Sequence, residues 1–124
     1  RKMAKTFYDL DVYKRSYKIA LDIHIATKGF PKEELYGLTS QIRRASRSIC
    51  ANIAEGFSKH YSSDAEFKRF IAMAIGSANE MVVWLDFCND LKYMEAECAQ
   101  KLKQEYTEIG KMLFKLSQNW ISKR

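Results

Sequence analysis

The sequence holds one proline and five glycines in 124 residues, and strand-like alternation of polar and apolar side chains is absent. So few chain breakers leave room for long helices. Cysteine is sparse as well. Cys50, Cys88 and Cys98 are odd in number and show no CxxC spacing, which argues against a disulfide framework or a zinc knuckle and for small apolar side chains in a reducing compartment. There are two histidines, His24 and His60. A di-iron site in a helical bundle needs Glu-x-x-His pairs, yet Leu21 and Phe57 stand three residues ahead of them. His24 is expected in the core or at an interface, and His60 in a solvated loop. No GxxxxGK[ST] loop cradles a nucleotide. Nothing near Cys50 in sequence would activate it as a nucleophile, although folding could still bring a histidine to a thiol. No catalytic residue, metal or cofactor is expected. No uninterrupted apolar run reaches the roughly 20 residues of a membrane span. The first eleven residues lack the apolar segment of a secretory leader. A cytoplasmic protein with no membrane partner is the expectation.

What is present is helix and positive charge. Lys and Arg number 21 against 15 Asp and Glu, a net +6. Residues 1–62 carry twelve basic and six acidic side chains, and residues 63–124 carry nine of each. All the excess sits in the first half. A basic face suits an anionic partner such as nucleic acid, and the plain alternative is solubility.

Apolar periodicity predicts one all-α domain over residues 1–124, with helices over about 11–28, 38–57, 63–91 and 95–121. The first stripe is Tyr13, Tyr17, Ala20, Ile23 and Thr27, widened by Leu21. The second is Leu38, Ile42, Ala45, Ile49 and Ile53. Ser63 and Glu66 make a capping box ahead of the third, whose stripe runs Phe67, Phe70, Ile71, Ala74, Ala78, Met81, Leu85 and Cys88. The fourth reads Leu102, Tyr106, Ile109, Leu113, Leu116 and Trp120. Four amphipathic helices with short loops imply an antiparallel up-down-up-down bundle.

The third helix breaks the amphipathic rule. Glu80, Asp86 and Asp90 are its only charges between Phe70 and Leu91, and Met73, Gly76, Val83 and Phe87 fall opposite the core stripe. A helix apolar on both sides is buried on both sides. These four residues are therefore expected in an interface between copies of the chain, the alternative being scattered surface hydrophobes.

The second helix carries LTSQIRRASRSICANIAEG, residues 38–56. Arg43, Arg47 and Arg44 fall at about 140°, 180° and 240° from Leu38 on a helical wheel. Small residues surround this outward strip. Arginine's planar fork matches phosphate, so the strip is a candidate nucleic-acid surface, with Lys14, Arg15 and Lys18 of the first helix as auxiliaries. The alternatives are a solvated face and ion pairs to a neighbouring subunit. Asn52 and Glu55, on the flank, with Asn79 and Glu80 of the third helix, are expected to form a structural polar network, since buried polar groups must find partners.

The block SQIRRA…ANIAEG, the preceding FPKEELYG (30–37), the opening FYDLDVY (7–13) and the closing EIGKMLFKL (108–116) resemble the four-helix-bundle proteins encoded by intervening sequences in bacterial 23S rRNA genes. Two positions depart from that pattern. Cys50 stands where the family usually has proline, which should straighten the second helix, and Tyr13 stands where tryptophan is common. The resemblance implies a left-handed bundle and a ring-shaped homo-oligomer, usually a pentamer. Relatives serving diversity-generating retroelements bind RNA and a reverse transcriptase. No catalytic residues are known in the family. The expected function is thus a non-enzymatic, basic homopentamer that binds RNA, rRNA among the candidates, largely without sequence specificity. The rival is a protein–protein assembly or adaptor module with no nucleic-acid role.

Overall fold

A computed structural model describes residues 4–120. A short 3-10 turn, Phe7–Asp9, leads into α1, Asp11–Ala26; a second turn, Lys32–Glu34, leads into α2, Leu38–Ser58. Then come α3, Asp64–Asp90, and α4, Ala96–Asn119, with no strand among the described residues. The expected end of the fourth helix at Ile121 lies outside them. Each boundary has a local cause. The Thr27 hydroxyl donates to the Ile23 carbonyl at 2.8 Å and closes α1. The Glu34 carboxylate accepts from Leu38 N at 3.1 Å and opens α2. Ser63 accepts from Glu66 N at 3.1 Å, while the Glu66 carboxylate turns to Arg69. α3 ends in paired bonds from Lys92 N to Asn89 O and from Tyr93 N to Cys88 O, with Lys92 at φ 61°. That is the left-handed helix ending that glycine usually supplies.

Neighbouring helices run in opposite directions. Gly56 lies against Phe67 and Phe70, whereas Ser48, two turns earlier on α2, meets Ser77 of α3. Likewise Phe67 stacks on Trp120, while Asp86 pairs with Lys103 of α4. Thr27 receives Arg43, and His24 receives Arg47. The α1 backbone comes close to α2 and, more lightly, to α4, but not to α3. The described residues thus form a four-helix bundle with α1 and α3 across a diagonal. α2 continues unbroken through Cys50.

The core follows the sequence stripes of α2, α3 and α4. Leu38, Ile42, Ala45, Ile49 and Ile53 are buried, as are Phe67, Ile71, Ala74, Ala78, Met81, Leu85 and Cys88 of α3 and Tyr106, Ile109 and Leu113 of α4. Phe70, Leu102, Leu116 and Trp120 are half-buried. α1 departs from expectation. Its inward face is Val12, Ser16, Ile19, Ile23 and Thr27. Tyr17 and Leu21 stand outside at 52% exposure each. Tyr13 is half-buried at the edge of the core and Tyr17 stacks on it from outside at 6.1 Å. A phenol tolerates that edge because its hydroxyl stays wet. His60, expected in solvent, is buried among Phe57, Tyr61 and Trp120.

α3 is long and apolar enough to cross a membrane by length and composition. Here that composition serves the core, because seven of its side chains are buried against the bundle.

Candidate nucleic-acid interface

Of the six cations expected at a phosphate surface, the structure commits two to the fold. Arg43 Nε donates to Thr27 Oγ1 at 2.8 Å, and its NH2 donates to the His24 carbonyl at 3.3 Å. The guanidinium therefore sits on the last carbonyls of α1, where a cation satisfies orphan acceptors and the helix dipole together. Arg15 places Nε and NH2 on Glu105 Oε2 at 3.0 and 2.7 Å and NH1 on Met112 Sδ at 3.3 Å, tying α1 to α4. A helical wheel shows neither contact, since each is made to another helix.

The other four face solvent. Arg44 NH2 donates to Gln41 Oε1 at 2.9 Å, and Arg47 NH2 lies 3.2 Å from His24 Nδ1. Both arginines thus rest on neutral partners. Lys14 is exposed and makes no ion pair among the described residues, and Lys18 reaches Asp22 loosely at 3.4 Å. The Arg43 guanidinium, then burial, Arg47 and Lys28 hold the His24 pKa below the usual 6.5. The ring is neutral at pH 7 and can accept the Arg47 N–H at Nδ1 with its own proton on Nε2.

Of the six acids of this half, Asp22 meets Lys18 on this face and three are engaged elsewhere. Asp9 accepts from Lys5 N and Thr6 N. Glu34 is held by Leu38 N and by the Tyr93 hydroxyl at 2.8 Å, and Glu55 approaches Lys59 at 3.8 Å. Sequence reasoning missed Lys28 and Lys32, exposed lysines on either side of the Gly29–Pro31 turn that face the start of α2 across an open cleft. Their signal was their closeness to that turn, which brings α1 back onto α2.

The expected polar network of Asn52, Glu55, Asn79 and Glu80 is not one unit. Asn52 Nδ2 donates to Ser48 O at 2.9 Å and Ser48 Oγ at 3.0 Å, and Ser48 Oγ meets Ser77 Oγ at 2.9 Å. The small serines bridge α2 to α3. Glu55 and Asn79 are exposed instead, and Glu80 is half-buried on α3. Met73, Gly76, Val83 and Phe87 are exposed on α3's outer side. A second apolar row, Tyr17, Leu21 and Ile25, stands out on α1.

The cysteines are free. Burial pushes the thiols of Cys50 and Cys88 up to about 11, so both stay protonated and weakly nucleophilic at neutral pH. Among the described residues no three of His, Cys, Asp and Glu converge as metal ligands would.

The class these features define is a four-helix bundle with one cationic edge. The chain belongs to the family described as 23S rRNA-intervening sequence protein, which matches residues 8–115. It is also similar to a crystal structure of a protein with unknown function from the S23 ribosomal protein family of Bacteroides thetaiotaomicron. The two share 27% identity and a TM-score of 0.77 over 87% of this chain and 96% of that one. No curated protein matches.

Proposed function

We propose that this protein is a non-enzymatic, homo-oligomeric bundle that binds RNA in the cytoplasm through the cationic edge of α1 and α2. One observation carries the reading. Arg44 and Arg47 lean on Gln41 and His24, both uncharged, and among the described residues no carboxylate neutralises them. Lys14 and Lys18 extend the same charge along α1. Contacts of this kind position a phosphate backbone without reading bases, so sequence preference is weak. The family description ties the gene to 23S rRNA, which makes rRNA the first RNA to try. Replacing Lys14, Lys18, Arg44 and Arg47 together by Ala leaves circular dichroism unchanged and weakens RNA retention in filter binding. Equal retention by the variant sinks the reading.

Assembly rests on the apolar row of α3. Lys14 and Lys18 share the outer face of α1 with Tyr17, Leu21 and Ile25 at helical spacing, so that face stays with the RNA. A head-to-tail contact of the α3 row on a neighbouring copy generates a ring where the rotation closes. A pentamer is the ring size the family resemblance implies. The apolar row equally favours a second reading, an assembly module with no nucleic-acid role; it predicts a ring that ignores RNA.

A further inference from the structure

We propose that the open cleft between the end of α1 and the start of α2 binds a phosphoryl group, with Lys28, Lys32 and Arg43 as its cationic ligands. The cleft is about 310 Å³ and brings these three cations together with Thr39, the ring of Phe30 and the side chain of Leu35. That volume lies near the lower end of small-ligand sites, roughly 300–1,000 Å³.

Arg43 is set in advance. Its Nε and NH2 are fixed by Thr27 and the His24 carbonyl, while its NH1 has no partner among the described residues. An anchored guanidinium loses little freedom when it takes an oxyanion. Thr39 adds an independent sign. It is 4% exposed, it lines the cleft, and its Oγ1 has no hydrogen-bond partner. Buried hydroxyls are normally satisfied, and this one lies in the first turn of a 21-residue helix, at the positive end of its dipole. That Oγ1 is sealed from water as the side chain stands, so a phosphoryl oxygen accepts from it only after rotation about χ1.

Among the described residues no carboxylate lines the cleft. Glu34, the acid that caps α2, is committed to Leu38 N and the Tyr93 hydroxyl. Phe30 and Leu35 form an apolar wall beside the cations, which keeps water from one side and strengthens the charge contacts. That wall also suits the sugar of a nucleotide. The ligand is therefore a phosphate monoester or diester. That it comes from RNA rests on the function proposed above; the chemistry of the cleft does not.

His24 lines the same cleft and reports on it. Its imidazole signals are followed by NMR while inorganic phosphate replaces chloride at constant ionic strength. The expected result is a saturable shift of the His24 signals. Lys28→Ala or Lys32→Ala, both at exposed positions, weakens it about tenfold, the loss of one charge-assisted contact. Lys115→Ala, at an exposed position of α4, leaves it unchanged. A His24 response to phosphate no larger than to chloride overturns the proposal, and so does an undiminished response in the Lys28→Ala, Lys32→Ala double variant. RNA oligomers with and without a 5′-phosphate separate the sources: tighter binding of the phosphorylated one assigns a terminal monoester, and equal binding assigns the backbone diester. RNA bound equally by wild type and double variant rejects RNA as the source of the phosphoryl group and leaves the RNA function standing. Phosphate bound by a protein that ignores RNA upholds the cleft and rejects that function.

Discussion

Gly56→Ala should destabilise the bundle, against the trend of helix propensity. Gly56 is buried in α2 where it crosses α3. Propensity alone favours alanine in a helix by about 1 kcal/mol. The added Cβ would lie 3.0 Å from Phe70 Cβ, 3.3 Å from Phe67 O and 3.7 Å from Ile71 Cδ1. Ordinary carbon contacts sit at about 3.5–4.0 Å. Rotation of a side chain relieves neither of the close contacts, because one atom is backbone and the other is fixed to it. α3 must shift by a few tenths of an ångström, and overpacking of that kind costs about 1–3 kcal/mol. The clash outweighs the propensity gain by about 1 kcal/mol, which lowers Tm by about 4 °C for a chain of this size. Gly110→Ala is the internal control. It sits in α4 with nothing within 4 Å of its new Cβ, so it gains about 1 kcal/mol without a clash. Thermal and urea unfolding followed by circular dichroism compares the two. If Gly56→Ala proves as stabilising as Gly110→Ala, the helices do not cross as closely as described.

Other outcomes follow from the same contacts. Arg43→Ala should cost about 1–2 kcal/mol, because it removes charge-assisted bonds to Thr27 and the His24 carbonyl, whereas Arg44→Ala should stay within about 0.5 kcal/mol. In Arg43→Ala the His24 pKa, read by NMR, should rise back toward 6.5, since Arg43 is the largest influence lowering it. An unchanged His24 titration would contradict the placement of the guanidinium. In light scattering, wild type should show a mass several times 14.5 kDa. Val83→Glu should release monomers, since a buried unpaired charge costs several kcal/mol; a wild-type monomer would refute the assembly.

α2 and α4 were legible because their apolar residues recur on one face, and α3 because its inward row is longer than the outer row of Met73, Gly76, Val83 and Phe87. α1 was legible only at its end, where Ile23 and Thr27 are buried as expected. It carries two overlapping rows, Val12–Ser16–Ile19–Ile23 and Tyr13–Tyr17–Leu21, and the second holds larger side chains. Tyrosine is amphipathic enough to remain outside. The site was legible as a direction and not as a set of contacts. The wheel placed Arg44 and Arg47 outward correctly. It could not show that the end of α1 reaches back to Arg43, or that Glu105, ninety residues on, meets Arg15. His60 was misjudged for the same reason, because its cage is completed by Trp120 from the far end of the chain. A polar link from α2 to α3 was expected and Asn52 belongs to it, but Ser48 and Ser77, which make it, were missed because serines, unlike Glu55 and Glu80, do not stand out in an apolar helix.

The central claim is that exposed cations on α1 and α2 hold RNA by its phosphates. It is tested most directly by filter binding of wild-type protein to single-stranded RNA across a series of salt concentrations. If Lys14, Lys18, Arg44 and Arg47 each neutralise one phosphate, the plot of log affinity against log salt should fall with a slope of about −3 per subunit engaged, at about 0.7 per contact. Absence of binding at low salt, or affinity that does not change with salt, would contradict it.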